Sequence, residues 1–276
     1  MKTLSRVNKI QGFLDRLTRK WWLYILFLLL FFLPSYAERS YDLRQSSDLV
    51  GEVLSNPIIN THQILGPIAK LIPVFLIPAV FITGNKARRL FNIYVAILYL
   101  VIALFQNSAI TESHGLVVLT GNLILILVVS LVWMWEVAAE RNDFSPRKLP
   151  LWKWWVAPVV LLPFLAPVNS TSLSPDFNLV RMLSNSSGLT FCFMTPVILA
   201  VLSLFHPTVN LPVLRVSSFV GIMFGAINML MWFVMKPWGW WMGVLHIPLV
   251  VVLLYTFVLS HRMNKRGSSL AIDGST

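Results

Sequence analysis

The sequence predicts an all-α polytopic membrane protein of about eight transmembrane helices, arranged as two parallel four-helix repeats. Three observations predict it. Hydrophobic residues make up 57% of the 276 and charged residues only 12%, about half the charge of a typical soluble domain. The apolar residues gather into blocks close to the roughly 20 residues that a bilayer crossing requires. Landmarks of the first half of the chain also recur, in order, in the second.

Residues 1–20 read as a basic amphipathic interfacial helix. Leu4, Val7, Ile10, Leu14 and Leu17 recur every three or four positions, with Lys2, Arg6, Lys9, Arg16, Arg19 and Lys20 between them. Such a helix lies in the headgroup layer, and anionic lipid is its expected partner. Eight apolar blocks follow, near 21–36, 64–84, 90–110, 115–138, 152–168, 189–206, 217–235 and 239–260. They divide into a first four-helix repeat over 21–138, a cytoplasmic linker over 139–151, a second repeat over 152–260 and a cytoplasmic tail over 261–276.

Charge sets the predicted orientation. With the N-terminus inside, 17 of the 22 Lys and Arg fall in inner segments, and only Arg39, Arg44, Arg181 and Lys236 in outer ones; Lys70 lies inside a span. That is the positive-inside bias. It accounts for the net charge of +11 and excludes a nucleic-acid-binding reading of the basic composition. Trp21, Trp22, Trp133, Trp135, Trp152, Trp154 and Trp155 mark the inner interface, and Trp238, Trp240 and Trp241 the outer. Both termini are therefore expected in the cytoplasm and the chain in a plasma membrane. Ser35-Tyr36-Ala37 after an apolar run imitates a signal-peptidase site. The match of the first span to a mid-chain one argues that it is retained.

That match carries the predicted duplication. Trp21-Trp22 and Trp154-Trp155 open spans at an offset of 133, Leu54-Ser55-Asn56 and Leu183-Ser184-Asn185 end outer loops at 129, Pro67 and Pro196 match at 129, and Gly115 and Gly239 at 124. Four spans per half is an even number, so both halves share one orientation. Asn56 is expected to cap the second span with Pro57 in its first turn, and Ser184 or Asn185 the sixth. The apolar residues preceding each cap predict a short helix on the outer face.

The candidate ligand-binding residues are Asn122, His246, Lys70, Asn107, Glu112 and His114. Asn122 and His246 share the offset of 124 and lie about seven residues into their spans, roughly 10 Å deep. A polar side chain there needs a partner or water, so the pair is expected to face across the seam between repeats. Lys70, between Pro67 and Pro73, either lines a cavity or extends toward the outer surface. Gln106, Asn107, Thr111, Glu112, Ser113 and His114 form a polar outer corner in which Glu112 and His114 could exchange a proton. His62 shares that face, but no spacing of ligands indicates a metal, and no pattern names a cofactor. The single cysteine, Cys192, excludes an internal disulfide. Glu136, beside Trp135, reads as interfacial. Asn169-Ser170-Thr171 and Asn185-Ser186-Ser187 are outer-loop sequons.

The leading functional expectation is binding or movement of a small solute or lipid-like molecule at the seam. A membrane enzyme acting on a lipid or quinone through Glu112, His114 or His246 is the second. A structural subunit with membrane partners is the third.

Overall fold

The computed structural model describes residues 2–61, 64–169 and 172–262. Eleven α-helices follow one another: α1 (Lys2–Leu17), α2 (Trp21–Phe31), α3 (Ser46–Ser55), α4 (Leu65–Thr83), α5 (Asn85–Val101), α6 (Thr120–Ala139), α7 (Val156–Leu165), α8 (Leu179–Ser184), α9 (Phe191–Phe205), α10 (Leu211–Leu230) and α11 (Trp240–His261). Five helical stretches are long and apolar enough to cross a bilayer: 65–83, 85–106, 120–139, 211–235 and 237–261. A sixth is bent by 86° between Leu179–Leu189 and Phe191–Phe205. The first and fifth apolar blocks form only the shorter helices Trp21–Phe31 and Leu151–Leu165. The all-helical expectation therefore holds for the bulk of the chain, and the block lengths overstate two of its helices.

One segment departs from helix. Residues 108–118 fold as a hairpin of β2 (Ser108–Thr111) and β3 (Gly115–Val118), and β1 (Tyr36–Ala37) pairs antiparallel with β3. Gly115, expected to open the fourth span, sits in this hairpin at φ +68, and the helix starts five residues later at Thr120. β-Branched and apolar residues at 116–119 raise hydropathy as a helix would, so hydropathy alone cannot separate the two. Ala37, Ala109 and Val117 turn one face of the sheet onto Leu49 and Val53 of α3, making a small satellite core.

The bundle has two distinct ends. At one, the end of α6 and the following segment meet the turn before α10: Asp143 N–H donates to Thr208 O at 2.8 Å. Asn85, opening α5, donates to Asp143 Oδ1 at 2.7 Å. Arg215 of α10 reaches Asp15 and Ser260 there as well. This basic pole thus gathers, among the described residues, the ends of α1 and α11, the start of α5, the segment after α6 and the turn before α10. The opposite, sheet pole holds the three strands, α3 and α8. The short outer helices expected before each Leu-Ser-Asn are present as α3 and α8. Asn185 caps the 3-10 turn Ser186–Leu189 by accepting from Ser187 N–H. Asn56 does not cap α4: a 3-10 turn, Ile58–Thr61, comes first, and α4 begins only at Leu65.

Several packing details correct the interfacial reading of tryptophan and acid. Trp133 is fully buried and donates to Ser217 Oγ at 3.1 Å, and Glu136 is fully buried too. Helix α1 is held against protein along one side, while Ile10 and Phe13 remain exposed on another. His62 and the tail from 263 onward lie outside the described residues.

Where α4 crosses the 186–189 turn, only glycine fits. A Cβ on Gly188 would lie 2.6 Å from the Lys70 backbone nitrogen, and backbone cannot swing aside as a side chain does. Gly188→Ala should lower stability by about 1–3 kcal/mol, the usual cost of overpacking. Gly12→Ala in α1 meets nothing closer than the flexible Arg16 side chain at 3.9 Å and should stabilise slightly, because alanine restricts the unfolded chain more. Thermal unfolding of both variants in detergent should show these opposite signs; equal shifts would contradict the crossing geometry.

Candidate functional site

Three ionisable side chains are sunk in the helices, and each is met in a different way. Lys70, 2% exposed on α4, donates to Leu165 O at 3.3 Å, to Met182 O and to Asn185 Oδ1 at 2.7 Å. Its ammonium lies 5.5 Å from the Phe164 ring centre. Leu165 ends α7 and Met182 lies in the last turn of α8, so two helix C-termini present their carbonyls to the cation. All three N–H bonds have protein acceptors. Lys70 therefore neither extends to the outer surface nor turns a free charge toward a ligand. It fastens α4 to the second half of the chain.

Arg215, 1% exposed on α10, spends its guanidinium on other elements. Nε and Nη2 donate to Ser260 O at 3.1 and 2.9 Å, and Nη1 donates to Asp15 Oδ1 at 2.9 Å and Thr18 Oγ1 at 3.2 Å. It thereby ties the end of α11 and the end of α1 to α10.

Glu136 is the buried acid, and among the described residues no basic side chain forms an ion pair with it. Oε1 accepts from Asn92 Nδ2 at 3.2 Å and from the Asn142 backbone N–H at 2.6 Å; Oε2 accepts from Asn210 Nδ2 at 2.6 Å. The amides behind these donors run one way. Trp135 Nε1 donates to Gln11 Oε1 at 2.8 Å, Gln11 Nε2 to Asn210 Oδ1 at 2.9 Å, and Asn210 Nδ2 to the carboxylate. A second chain passes from the Asn210 backbone N–H to Asn142 Oδ1, from Asn142 Nδ2 to Asn92 Oδ1, and from Asn92 Nδ2 to the carboxylate. Each chain begins at a group that can only donate. Each ends on an oxygen that, when ionised, can only accept. The orientation of every amide is thereby fixed.

The remaining sequence candidates do not converge. Asn122 is half-buried at the start of α6, and no hydrogen bond joins it to His246. His246, 4% exposed, has Nδ1 2.7 Å from its own helix's Met242 O, and its ring lies against Phe193. Helix α11 packs on α7, α9 and α10, while α6 packs on α2, α5 and α10. Asn107, 2% exposed, donates to Ile102 O and Ala103 O and so closes the π-helical turn Ile102–Gln106. Glu112 and His114 occupy the tip of the β2–β3 hairpin. There Ser113 Oγ lies 2.8 Å from His114 Nδ1, and Arg39 donates to Glu112 O at 3.0 Å. No cluster of three potential metal ligands occurs among the described residues.

What sequence reasoning missed is a groove. It has a volume of about 290 Å³ and lies between α4 of the first half and α7 and α9 of the second. Pro73, Ile77, Phe81, Ala157, Phe164 and Ala200 are among its lining residues, and its walls are almost wholly apolar. Its size is at the lower end of the range for ligand clefts, about 300–1,000 Å³. The sequence signal was the pair Pro73 and Pro78 on α4: both line the groove, and neither has an N–H to bind the carbonyl one turn earlier.

At the basic pole, Asp143 is held down at about 2 by hydrogen bonds from Ser145 and Asn85. Burial, with the Lys153 ammonium adding to it, lowers His206 to about 4, so that imidazole is neutral at pH 7. Comparison with protein-family models, with curated proteins and with solved structures finds no match for this chain. The helices fit a multi-pass integral membrane protein, and its activity has to be argued from the geometry alone.

Glu136→Gln should destabilise by about 1–3 kcal/mol, because its new amide would point a donor at donors that no flip can reverse. Asn122→Leu, with no bond to lose, should cost less. Chemical unfolding of the two variants in the same detergent checks the order, and the reverse order would contradict the one-way network.

Proposed function

We propose that the chain is a membrane protein of two parallel four-helix repeats, with its basic pole in the cytoplasm, and that it binds a lipid-like molecule in the groove at the seam between repeats. The groove carries this reading: an apolar cleft between α4, α7 and α9 suits a hydrocarbon chain and offers nothing to a polar solute. Duplicated membrane folds commonly place their sites between the repeats.

Support for the repeat comes from element order. A short apolar helix, a short helix with a 3-10 turn, and three long helices occur in each half, and in each the second long helix ends in a π-helical turn, Ile102–Gln106 and Met231–Met235. Those two turns are 129 residues apart, the offset that also relates Asn56 to Asn185. Helix α2 starts beside the basic pole, where Tyr24 donates to Thr18 O, and ends against Gly121 near the sheet. The 151–165 segment starts at Lys153, bonded to His206 O, and ends at Leu165 on Lys70. Short as they are, both run from pole to pole, which favours counting them as crossings and gives eight.

Orientation is checked with cysteines. In a Cys192→Ser background, Ser268→Cys and Ser172→Cys should label oppositely with a membrane-impermeant thiol reagent, the second from outside; labelling of both from one side would overturn the topology. Binding is checked with a phosphatidylcholine that bears a photoactivatable group in mid-chain. After illumination in vesicles, the adducts should concentrate on α4, α7 and α9, and Ala157→Phe should remove most of them by filling the groove. Adducts spread evenly over all lipid-facing helices, unchanged by Ala157→Phe, would overturn the assignment.

A further inference from the structure

The two ends of the groove differ, and the difference points to a headgroup. At the sheet pole, Phe164 lines the groove and also covers the Lys70 ammonium, whose protons are all taken. That end offers no free charge.

At the basic pole, cations with unused donors lie next to the groove's lining residues. Leu204 and Phe81 line the groove there. The Lys153 ammonium donates to His206 O at 2.8 Å and Leu204 O at 3.5 Å, leaving one N–H without a protein acceptor among the described residues. Phe81 packs against Phe205 with ring centres 5.3 Å apart, and the Arg147 guanidinium lies 5.4 Å from the Phe205 ring centre. Arg147 bonds protein only through Nη2, to Asp143 O, Phe205 O and Thr208 Oγ1. Its Nε and Nη1 have no protein acceptor among the described residues. Arg147 and Lys153 are close enough to repel each other. The Asp143 carboxylate accepts from Asn85 and Ser145 and so is already engaged. Trp154, a further lining residue and partly exposed, has an indole N–H without a protein acceptor among the described residues.

Two cations with spare donors and an indole N–H thus stand at the basic-pole end of an apolar groove, Lys153 bonded to the lining residue Leu204 and Trp154 in the lining itself. We propose that the groove takes one chain of a phosphate-bearing anionic lipid of the cytoplasmic leaflet, with the lipid phosphate on Arg147, Lys153 and the Trp154 indole. The free Nε and Nη1 N–H bonds of Arg147 can each make a charge-assisted hydrogen bond to a phosphate oxygen. The neighbouring apolar walls account for the chain. The phosphate would also relieve the repulsion between the two cations. This inference rests on the lipid reading of the groove and adds its headgroup class and its leaflet.

The test uses the full chain in vesicles and two photoactivatable lipids with identical chains, a phosphatidylglycerol and a phosphatidylcholine. Groove adducts should form with phosphatidylglycerol in clear excess. Arg147→Gln should reduce that excess about fivefold, the effect of one basic residue near a charged lipid surface. Arg147→Lys, which keeps the charge, should hold it within about twofold of the original. Arg44→Gln, the same charge change at the opposite pole, should leave it unaltered. Millimolar inorganic phosphate should not displace the lipid. Equal labelling by the two lipids would overturn the headgroup proposal while leaving the groove reading standing. Absence of groove adducts from both would overturn the groove reading itself. Displacement by inorganic phosphate would show a site for a free anion, and a loss with Arg147→Lys as large as with Arg147→Gln would show a positioning role; either result overturns the proposal.

Discussion

Hydrocarbon offers no hydrogen bonds, so every charge that the chain carries into its helices has to be met by the chain itself. Lys70, Glu136 and Arg215 are the three places where this demand is greatest, with exposures of 2%, 0% and 1%. Only Arg215 is met by an opposite charge, Asp15. Lys70 is met by helix-end carbonyls and Glu136 by amides. Neutral dipoles suffice because several converge on each ion and because helix termini carry partial charge. Meeting each ion takes elements that are far apart in the chain. Glu136 draws on residues 92, 142 and 210, Lys70 on 165, 182 and 185, Arg215 on 15, 18 and 260. The relative placement of α1, α4, α6, α10 and α11 therefore follows from satisfying three side chains.

These bonds also make the two halves unequal. Under the proposed duplication, Asn185 and Asn56 occupy matching places. Asn185 caps a turn and accepts from Lys70, whereas the Asn56 side chain makes no hydrogen bond among the described residues. The position 129 residues after Lys70 is Leu199, an apolar core residue. Helix α2 packs on α6 and α10, while its counterpart α7 packs on α9 and α11. An ancestral symmetric bundle would have two equivalent grooves. Here α2 packs on α6 and α10 and the cleft described lies beside α4.

Much of this was legible in the sequence, for identifiable reasons. The gathering of basic segments at one pole could be read because the charge bias acts segment by segment and needs no tertiary contact. The short helices α3 and α8 could be read from apolar spacing and from Asx residues at their ends. The β2–β3 hairpin could not, since Leu116, Val117 and Val118 look alike to hydropathy in a strand or a helix. Glu136 was misplaced because its neighbour Trp135 suggested an interface; its donors lie up to 74 residues away, where local pattern is blind. The fastening role of Lys70, read as cavity-lining or as extending toward the outer surface, was out of reach for the same reason, its acceptors being 95 to 115 residues distant. Asn122 and His246 matched in offset, but Asn122 lies in the first turn of α6 and His246 in the second turn of α11, so equal offset did not give equal depth. The groove escaped notice because its walls are ordinary apolar side chains, and only their failure to meet one another distinguishes them.

That failure has a physical source in α4. Pro73 and Pro78 cannot donate to Ala69 O and Val74 O, as residues one turn later normally would. Ala69 O is partly compensated by Tyr94 OH at 3.4 Å, from the side of α5. Val74, the other residue whose carbonyl loses its usual donor, lines the groove. A helix wall that presents two rings in place of side chains able to interdigitate leaves a concavity between α4 and α7, floored by α9. The Lys70 fastening holds α4 against the second half at the sheet pole, and Asn85, Asp143 and Thr208 hold the other end of the same wall. A cleft pinned at both ends cannot collapse by tilting its helices together. In water such a void would cost stability, but in a bilayer it is filled by whatever hydrocarbon lies alongside. The fold can therefore keep an unpacked seam at little cost, provided that lipid occupies it.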